Sequence, residues 1–154
     1  MARLVITMGT FDLPHSGHVF LFEQCRQIAG EDGYVVVTVN PDDFVERFKG
    51  KPPVMTEQER LTVIGAMENV DEVRLNDHGE FGGETIDDII FSYNNMEGDN
   101  FLVIGADWAP PKDYYGQLNI DQTWLGNRRI CMIYIPRFSY YSSTDLKARI
   151  VKNG

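Results

Sequence analysis

The apolar residues of the chain follow two alternating periodicities. Short runs with strand character occur at Leu4–Met8, Tyr34–Val39, Glu72–Leu75, Phe101–Ile104 and Ile130–Ile135. Longer stretches with helical spacing lie between most of them. Val19, Phe20 and Phe22 lead the first, which continues to Ile28. Leu61, Ile64 and Met67 share one face of a second, between Glu57 and Met67. Ile86, Ile89, Ile90 and Tyr93 mark a third, over about Glu84–Asn94, and Leu146 and Ile150 a last, over Asp145–Val151. Strand and helix in repetition predict an α/β fold: a doubly wound five-stranded parallel sheet, in order 3-2-1-4-5, with helices on both faces. No repeat or linker divides residues 1–154, which read as a single domain.

Local signals place the boundaries. Thr56-Glu57-Gln58-Glu59 has the form of a capping box, and Ser142-Ser143-Thr144-Asp145 offers capping hydroxyls with an acid in the first turn. Asn40-Pro41-Asp42-Asp43 reads as an asparagine cap with proline at the first helical position. Lys49-Gly50-Lys51-Pro52-Pro53 is incompatible with a helix and predicts a stiff exposed loop. Residues 79–83 and Ala109-Pro110-Pro111 also read as loops.

Composition narrows the class. With 43% hydrophobic and 24% charged residues, the chain has the balance of a folded globular protein. No run approaches the ~18–20 apolar residues of a membrane span, so no membrane is expected as a partner. Cys25 and Cys131 make no disulfide framework; they predict a reducing cytoplasm and small buried apolar side chains. Net charge is −9, unevenly spread: residues 1–127 carry 22 acids and 8 bases, residues 128–154 carry 6 bases and 1 acid. An acidic chain of pI about 4.7 is poorly suited to nucleic acid, although its basic end can meet a small anion.

In an open parallel sheet, ligands bind beyond the carboxyl ends of the strands near the switch point. There the first strand runs into Gly9-Thr10-Phe11-Asp12-Leu13-Pro14-His15-Ser16-Gly17-His18. Gly9 permits a tight turn beside a ligand, and amides at the helix start can meet phosphate oxygens. His15 and His18, three apart, share a face of a helical first turn, and Gly17 leaves room for a phosphate. Neither GxGxxG nor GxxxxGK[ST] is present. Only Asp12 stands near the histidines as a further ligand, so no protein metal site is expected.

These residues resemble the signature of the cytidylyltransferase branch of the nucleotidyltransferase superfamily, and the glycerol-3-phosphate enzymes in particular. His15-x-Gly17-His18 is similar to that family's HxGH element. Arg137 followed by Ser142-Ser143-Thr144 is similar to its second motif. Lys49-Gly50-Lys51 resembles its substrate loop, Glu59-Arg60-Leu61 its helix, and Gly105-Ala106-Asp107-Trp108 its turn after strand 4. The likeness spans roughly residues 3–150 in collinear order.

The resemblance implies a Rossmann-like domain that transfers CMP from CTP to a small phosphorylated acceptor, glycerol 3-phosphate first, releasing pyrophosphate. It implies Mg²⁺ with the triphosphate, and a homodimer. His15, His18 and Arg137 would be catalytic, the histidines as donors to the triphosphate and protonated beside bound anions. Gly9, Thr10, Phe11, Gly17, Lys51, Gly105, Asp107, Tyr141, Ser142, Ser143 and Thr144 would join them around the nucleotide. Asp12, Asp42, Lys49 and Arg60 would bind the acceptor.

The sequence departs from the glycerol-3-phosphate enzymes at Phe138, Tyr141 and Glu68, and in a longer aromatic insert over residues 109–127. The insert reads as a lid, a dimer contact or a loop packed on its own hydrophobics. An ATP-dependent adenylyltransferase acting on phosphopantetheine or a sugar phosphate, and a non-catalytic nucleotide-binding module, are the alternatives.

Overall fold

The computed structural model describes residues 2–137 and 142–153. Its sheet contains β1 (Leu4–Gly9), β2 (Tyr34–Val39), β3 (Glu72–Leu75), β4 (Asn100–Gly105) and β5 (Ile130–Ile135). All neighbours are parallel, in the order β3-β2-β1-β4-β5. The doubly wound, Rossmann-like sheet expected from the periodicity is therefore the fold. β1, flanked on both sides and covered on both faces, is buried from Leu4 to Met8. This is why its sequence is a continuous apolar run rather than an alternation.

Helices α1 (Ser16–Ala29), α2 (Asp42–Lys49), α3 (Glu57–Gly65) and α4 (Gly82–Ser92) alternate with the strands, and α7 (Ser143–Asn153) follows β5. Alternate residues of each strand face opposite layers. Val5, Val35, Val37 and Val39 pack with Phe22 and Cys25 of α1 and Ile64 of α3. Leu4, Ile6 and Met8 pack on the other face with Ile86, Ile89 and Ile90 of α4.

The insert after β4 folds into a 3-10 turn (Ala106–Trp108), α5 (Tyr114–Leu118) and α6 (Gln122–Asn127). Tyr114, Leu118 and Leu125 are buried, and Tyr114 and Leu118 join the core formed by β1, β4 and α4, so the insert packs on the body of the domain. It also explains why the glycines at 82 and 83 are helical rather than loop. A Cβ at Gly82 would lie 2.6 Å from Leu118 Cδ2, and one at Gly83 would lie 2.7 Å from Ile120 Cγ2. The insert approaches the first turn of α4 only because those positions lack side chains.

Three local expectations are corrected. Pro41, not Asn40, is the N-cap of α2, and it makes no side-chain cap. The Thr56 side chain caps α3 at Glu59 N–H, but its hydroxyl also donates to Glu59, so the box is half formed. Cys25 is buried, its thiol pushed up to about 12 by desolvation, whereas Cys131 lies exposed on edge strand β5. Among the described residues no helix is long and apolar enough to cross a membrane.

The register opens the site. β1 pairs with β2 through to Gly9↔Val39, and β4 with β5 through to Gly105↔Ile135. The β1–β4 ladder ends earlier, at Ile6↔Leu102. The two halves of the sheet thus part at their carboxyl ends, at the point where strand order reverses.

Candidate active site

Two cavities occupy this crevice. The first, of about 370 Å³, lies over the ends of β1 and β2 and includes Thr10, Asp12, Asn40, Phe48, Lys49 and Lys147 in its walls. The second, of about 250 Å³, lies toward β4 and β5 and includes His15, Gly17, Gly105, Arg137 and Ser142. Phe11, His18, Asp107 and Ser143 line both. Two separate ligands placed in them would therefore meet beside His18.

The histidines are held by the helix they begin. His15 is the N-cap of α1: its Nδ1 accepts from Gly17 N–H at 3.0 Å. His18, at N3, returns the bond, its Nδ1 accepting from His15 N–H at 3.2 Å. The pair forms a capping box with imidazoles in place of the usual hydroxyl and carboxylate, the rings stacked at 3.9 Å. Because each Nδ1 is an acceptor, each neutral ring carries its proton on Nε2. A second proton would have to displace a cap bond. Burial, then the neighbouring Arg137 charge, pushes His15 below the ordinary histidine value. Burial, then His15, pushes His18 down to about 3. In the free protein both rings are therefore neutral Nε2–H donors. The Gly17 amide is committed to His15.

The loop between β1 and α1 is strained and braced. Phe11 and Leu13 have φ of 52° and 50°, so the left-handed positions fall on side-chain-bearing residues and not on Gly9. Gly9 serves otherwise: a Cβ there would lie 3.0 Å from the Phe11 ring. Arg60 holds the loop from behind. It is fully buried and donates to Thr10 O, Asn40 O, Met55 O and Asp42 Oδ1, at 2.7, 2.8, 3.1 and 2.7 Å. Neither Arg60 nor Asp42 lines these two cavities, and the contacts they make here brace the loop. Asp12 is also committed. Its carboxylate accepts from Val54 N–H and Met55 N–H at 2.9 and 3.0 Å and pairs with Lys147 at 2.8 Å. Desolvation opposes its charge, but Lys147 and the two amides outweigh it and hold the carboxyl below its ordinary value.

Helix α7 meets this loop at its N-terminus. Ser143 Oγ donates to Asp12 O, and Ser142 Oγ accepts from Asp145 N–H as a cap. Arg137 pairs with Asp107 at 2.7 Å, joining the ends of β5 and β4. Gly105 stands open, with nothing within 4 Å of where a Cβ would be. Lys49 faces the first cavity; Lys51 lines neither. Tyr141 lies outside the described residues.

Several wall residues were not singled out in the sequence. Lys147 read only as part of a basic helix. Asn40 and Asn76, which end β2 and β3, bond each other at 3.2 Å, and Thr85 donates to Asn76. An asparagine just beyond each strand was the available signal. Phe44, Phe48, Tyr114 and Leu118 add apolar wall to the first cavity, a role that depends on how α2 and α5 pack.

A parallel sheet parted at its switch point, with two adjoining cavities sharing an HxGH histidine, defines a nucleotidyltransferase. The chain belongs to the Cytidylyltransferase-like family, whose sequence model matches residues 6–149. An FAD synthase of Korarchaeum cryptofilum is 28% identical over 159 residues, covering 99% of this chain and 94% of that protein. The bifunctional protein HldE of Azorhizobium caulinodans is 43% identical over 109 residues, 70% of this chain but only 20% of HldE. Among solved structures, a lipopolysaccharide core biosynthesis protein from Thermoplasma volcanium shares the fold, with TM-score 0.55 and 24% identity. That match covers 92% of this chain and 100% of the other. TmcAL of Thermotoga maritima, solved with α-thio ATP, gives TM-score 0.61 at 14% identity, covering 99% and 51%.

Proposed function

We propose that the protein is an adenylyltransferase that joins AMP from ATP to a small phosphate monoester and releases pyrophosphate. The observation that carries this is the junction of the two cavities at His18, Phe11, Asp107 and Ser143. A triphosphate in the second cavity would present its α-phosphate to an acceptor in the first. ATP is favoured over CTP by the FAD synthase that aligns along nearly the whole chain, since FAD is an adenylylated phosphate monoester. The aromatic walls of the first cavity suit flavin mononucleotide as the first acceptor to test.

An acceptor phosphate oxygen attacks the α-phosphorus in line, and the bond to the β-phosphate oxygen breaks. The second pKa of a phosphate monoester is about 6, so the nucleophile needs no base at neutral pH. Catalysis is then positioning and charge stabilisation. The His15 and His18 Nε2–H groups donate to the phosphate oxygens as charge builds. Arg137 offers its fork to the leaving pyrophosphate, as do the first-turn amides of α7 at Thr144. Phe11 and Gly105 let the backbone approach the nucleotide, while Gly9, Thr10 and Lys49 border the acceptor's cavity. Mg²⁺ belongs to the proposal as a companion of the triphosphate. Among the described residues there is no group of three or more metal-ligating side chains.

The test is pyrophosphate release with Mg²⁺. ATP and CTP are each crossed with flavin mononucleotide, a sugar 1-phosphate, phosphopantetheine and glycerol 3-phosphate. Turnover with ATP and one acceptor is expected. Turnover with CTP alone overturns the adenylyl reading and returns the enzyme to the cytidylyl branch. Nucleotide binding without turnover by any pair points to a non-catalytic module.

A further inference from the structure

The first cavity holds a second cation. Lys147, on the second turn of α7, reaches across to Asp12 at 2.8 Å, and both line the cavity with Lys49. Asp12 does not depend on Lys147 alone, since Val54 and Met55 amides already hold its two oxygens. An ammonium has three donors, and one on Asp12 leaves two for a ligand. Lys49 is near enough for its titration to feel both Lys147 and Asp12; burial, then the Lys147 charge, pushes it below the ordinary lysine value. Two ammonium groups beside one already satisfied carboxylate leave local positive charge in a half-buried pocket. Such an arrangement costs stability unless an anion completes it.

We infer that Lys147, positioned by Asp12, joins Lys49 in holding the acceptor's phosphate as a dianion. This rests on the transferase reading above. It makes Lys147 a determinant of acceptor affinity, and it ties acceptor binding to the seating of α7. The helix contributes no buried residue among those described. It is fastened to the β1–α1 loop through Lys147–Asp12 and Ser143–Asp12 O.

The test compares wild type with Lys147→Met, Lys147→Arg and, as a control on the same helix, Lys152→Met. Losing a hydrogen-bonded charge predicts a rise of about 10–100-fold in acceptor KM for Lys147→Met. Nucleotide KM should be unchanged, and the dependence of acceptor KM on salt should be shallower. Lys147→Arg should recover most of the affinity. Lys152→Met should match wild type. A merely structural tether would not change the salt slope. An acceptor KM within twofold of wild type, or an unchanged salt slope, overturns the inference. A ³¹P NMR titration of inorganic phosphate separates the two readings. If wild type turns over no pair but binds phosphate, and Lys147→Met does not, the adenylyl reading fails while Lys147 stands as a phosphate ligand of the first cavity. If both bind phosphate equally, or neither binds it, this one fails whatever the turnover.

Discussion

His15 N–H donates to His18 Nδ1 while His15 Nδ1 accepts from Gly17 N–H, so the two residues to which we assign the chemistry also begin the helix that carries them. The capping box fixes the tautomer of both rings. It also makes stability and activity partly the same interaction, and substitutions at position 15 separate them.

His15→Asn keeps an N-cap side chain but loses the Nε2–H donor. Its melting temperature should stay near wild type, while kcat falls by about 10²–10³. His15→Ala should lose that rate and also about 1 kcal/mol of stability. In a chain of this size that is a drop in Tm of about 2–4 °C. Circular dichroism melts and pyrophosphate release on both variants check this; full activity in His15→Asn sinks the donor role.

Protonation should unfold the site before it unfolds the carboxylates. His18 titrates near 6.5 in the unfolded chain and near 3 when folded, so between those values the unfolded state binds more protons. Its neutral burial therefore contributes stability above about pH 6.5 that is lost as pH falls toward 3. His15 is shifted the same way. Asp12, shifted below its ordinary value, acts only at about pH 4 and lower. His78 runs opposite: Asp88 raises its value, so its contribution is present in acid and lost as pH rises through the folded value. Denaturant midpoints between pH 5 and 7 should climb with pH in wild type, more steeply in His78→Gln, and less in His18→Gln. An equal slope in His18→Gln contradicts the assignment.

Removing Arg60 should cost more than any cavity-wall substitution. Arg60→Met strands Asp42 and three carbonyls in a site with no exposed surface on the arginine side chain. About 3–5 kcal/mol of destabilisation is expected in urea unfolding. Loss of activity with unchanged stability would instead restore Arg60 as a ligand contact.

Gly83→Ala should destabilise although alanine favours helices by about 1 kcal/mol over glycine. The added methyl meets Ile120 and Trp124, and overpacking costs about 1–3 kcal/mol. The displaced insert should also raise acceptor KM, because Tyr114 and Leu118 wall that cavity. A stabilised variant would show that the insert yields freely.

Strand pattern and motif order made the layers and the histidine pair legible. Tyr34–Val39 is a strand to the residue, because a β-branched run between turn signals leaves one solution, and Glu72–Leu75 is one by its alternation. Arg60 and Asp12 were noticed as candidate ligand contacts, but their bonds to Thr10 O, Val54 N–H and Met55 N–H were not legible. A charged residue in a motif looks alike whether it meets a ligand or the backbone, and only its partners distinguish them.

Sequence alone determined the parallel sheet, its order and the candidate residues at the ends of β1 and β5, since periodicity, capping and motif order are legible along the chain. Tertiary structure decided the rest. It set the parting of β1 from β4 after Ile6 and Leu102, and the burial that keeps both histidines neutral. It also set the meeting of Asp12 with Lys147, 135 positions apart. Each depends on which side chains exclude water from one another, and that is fixed only when distant elements pack.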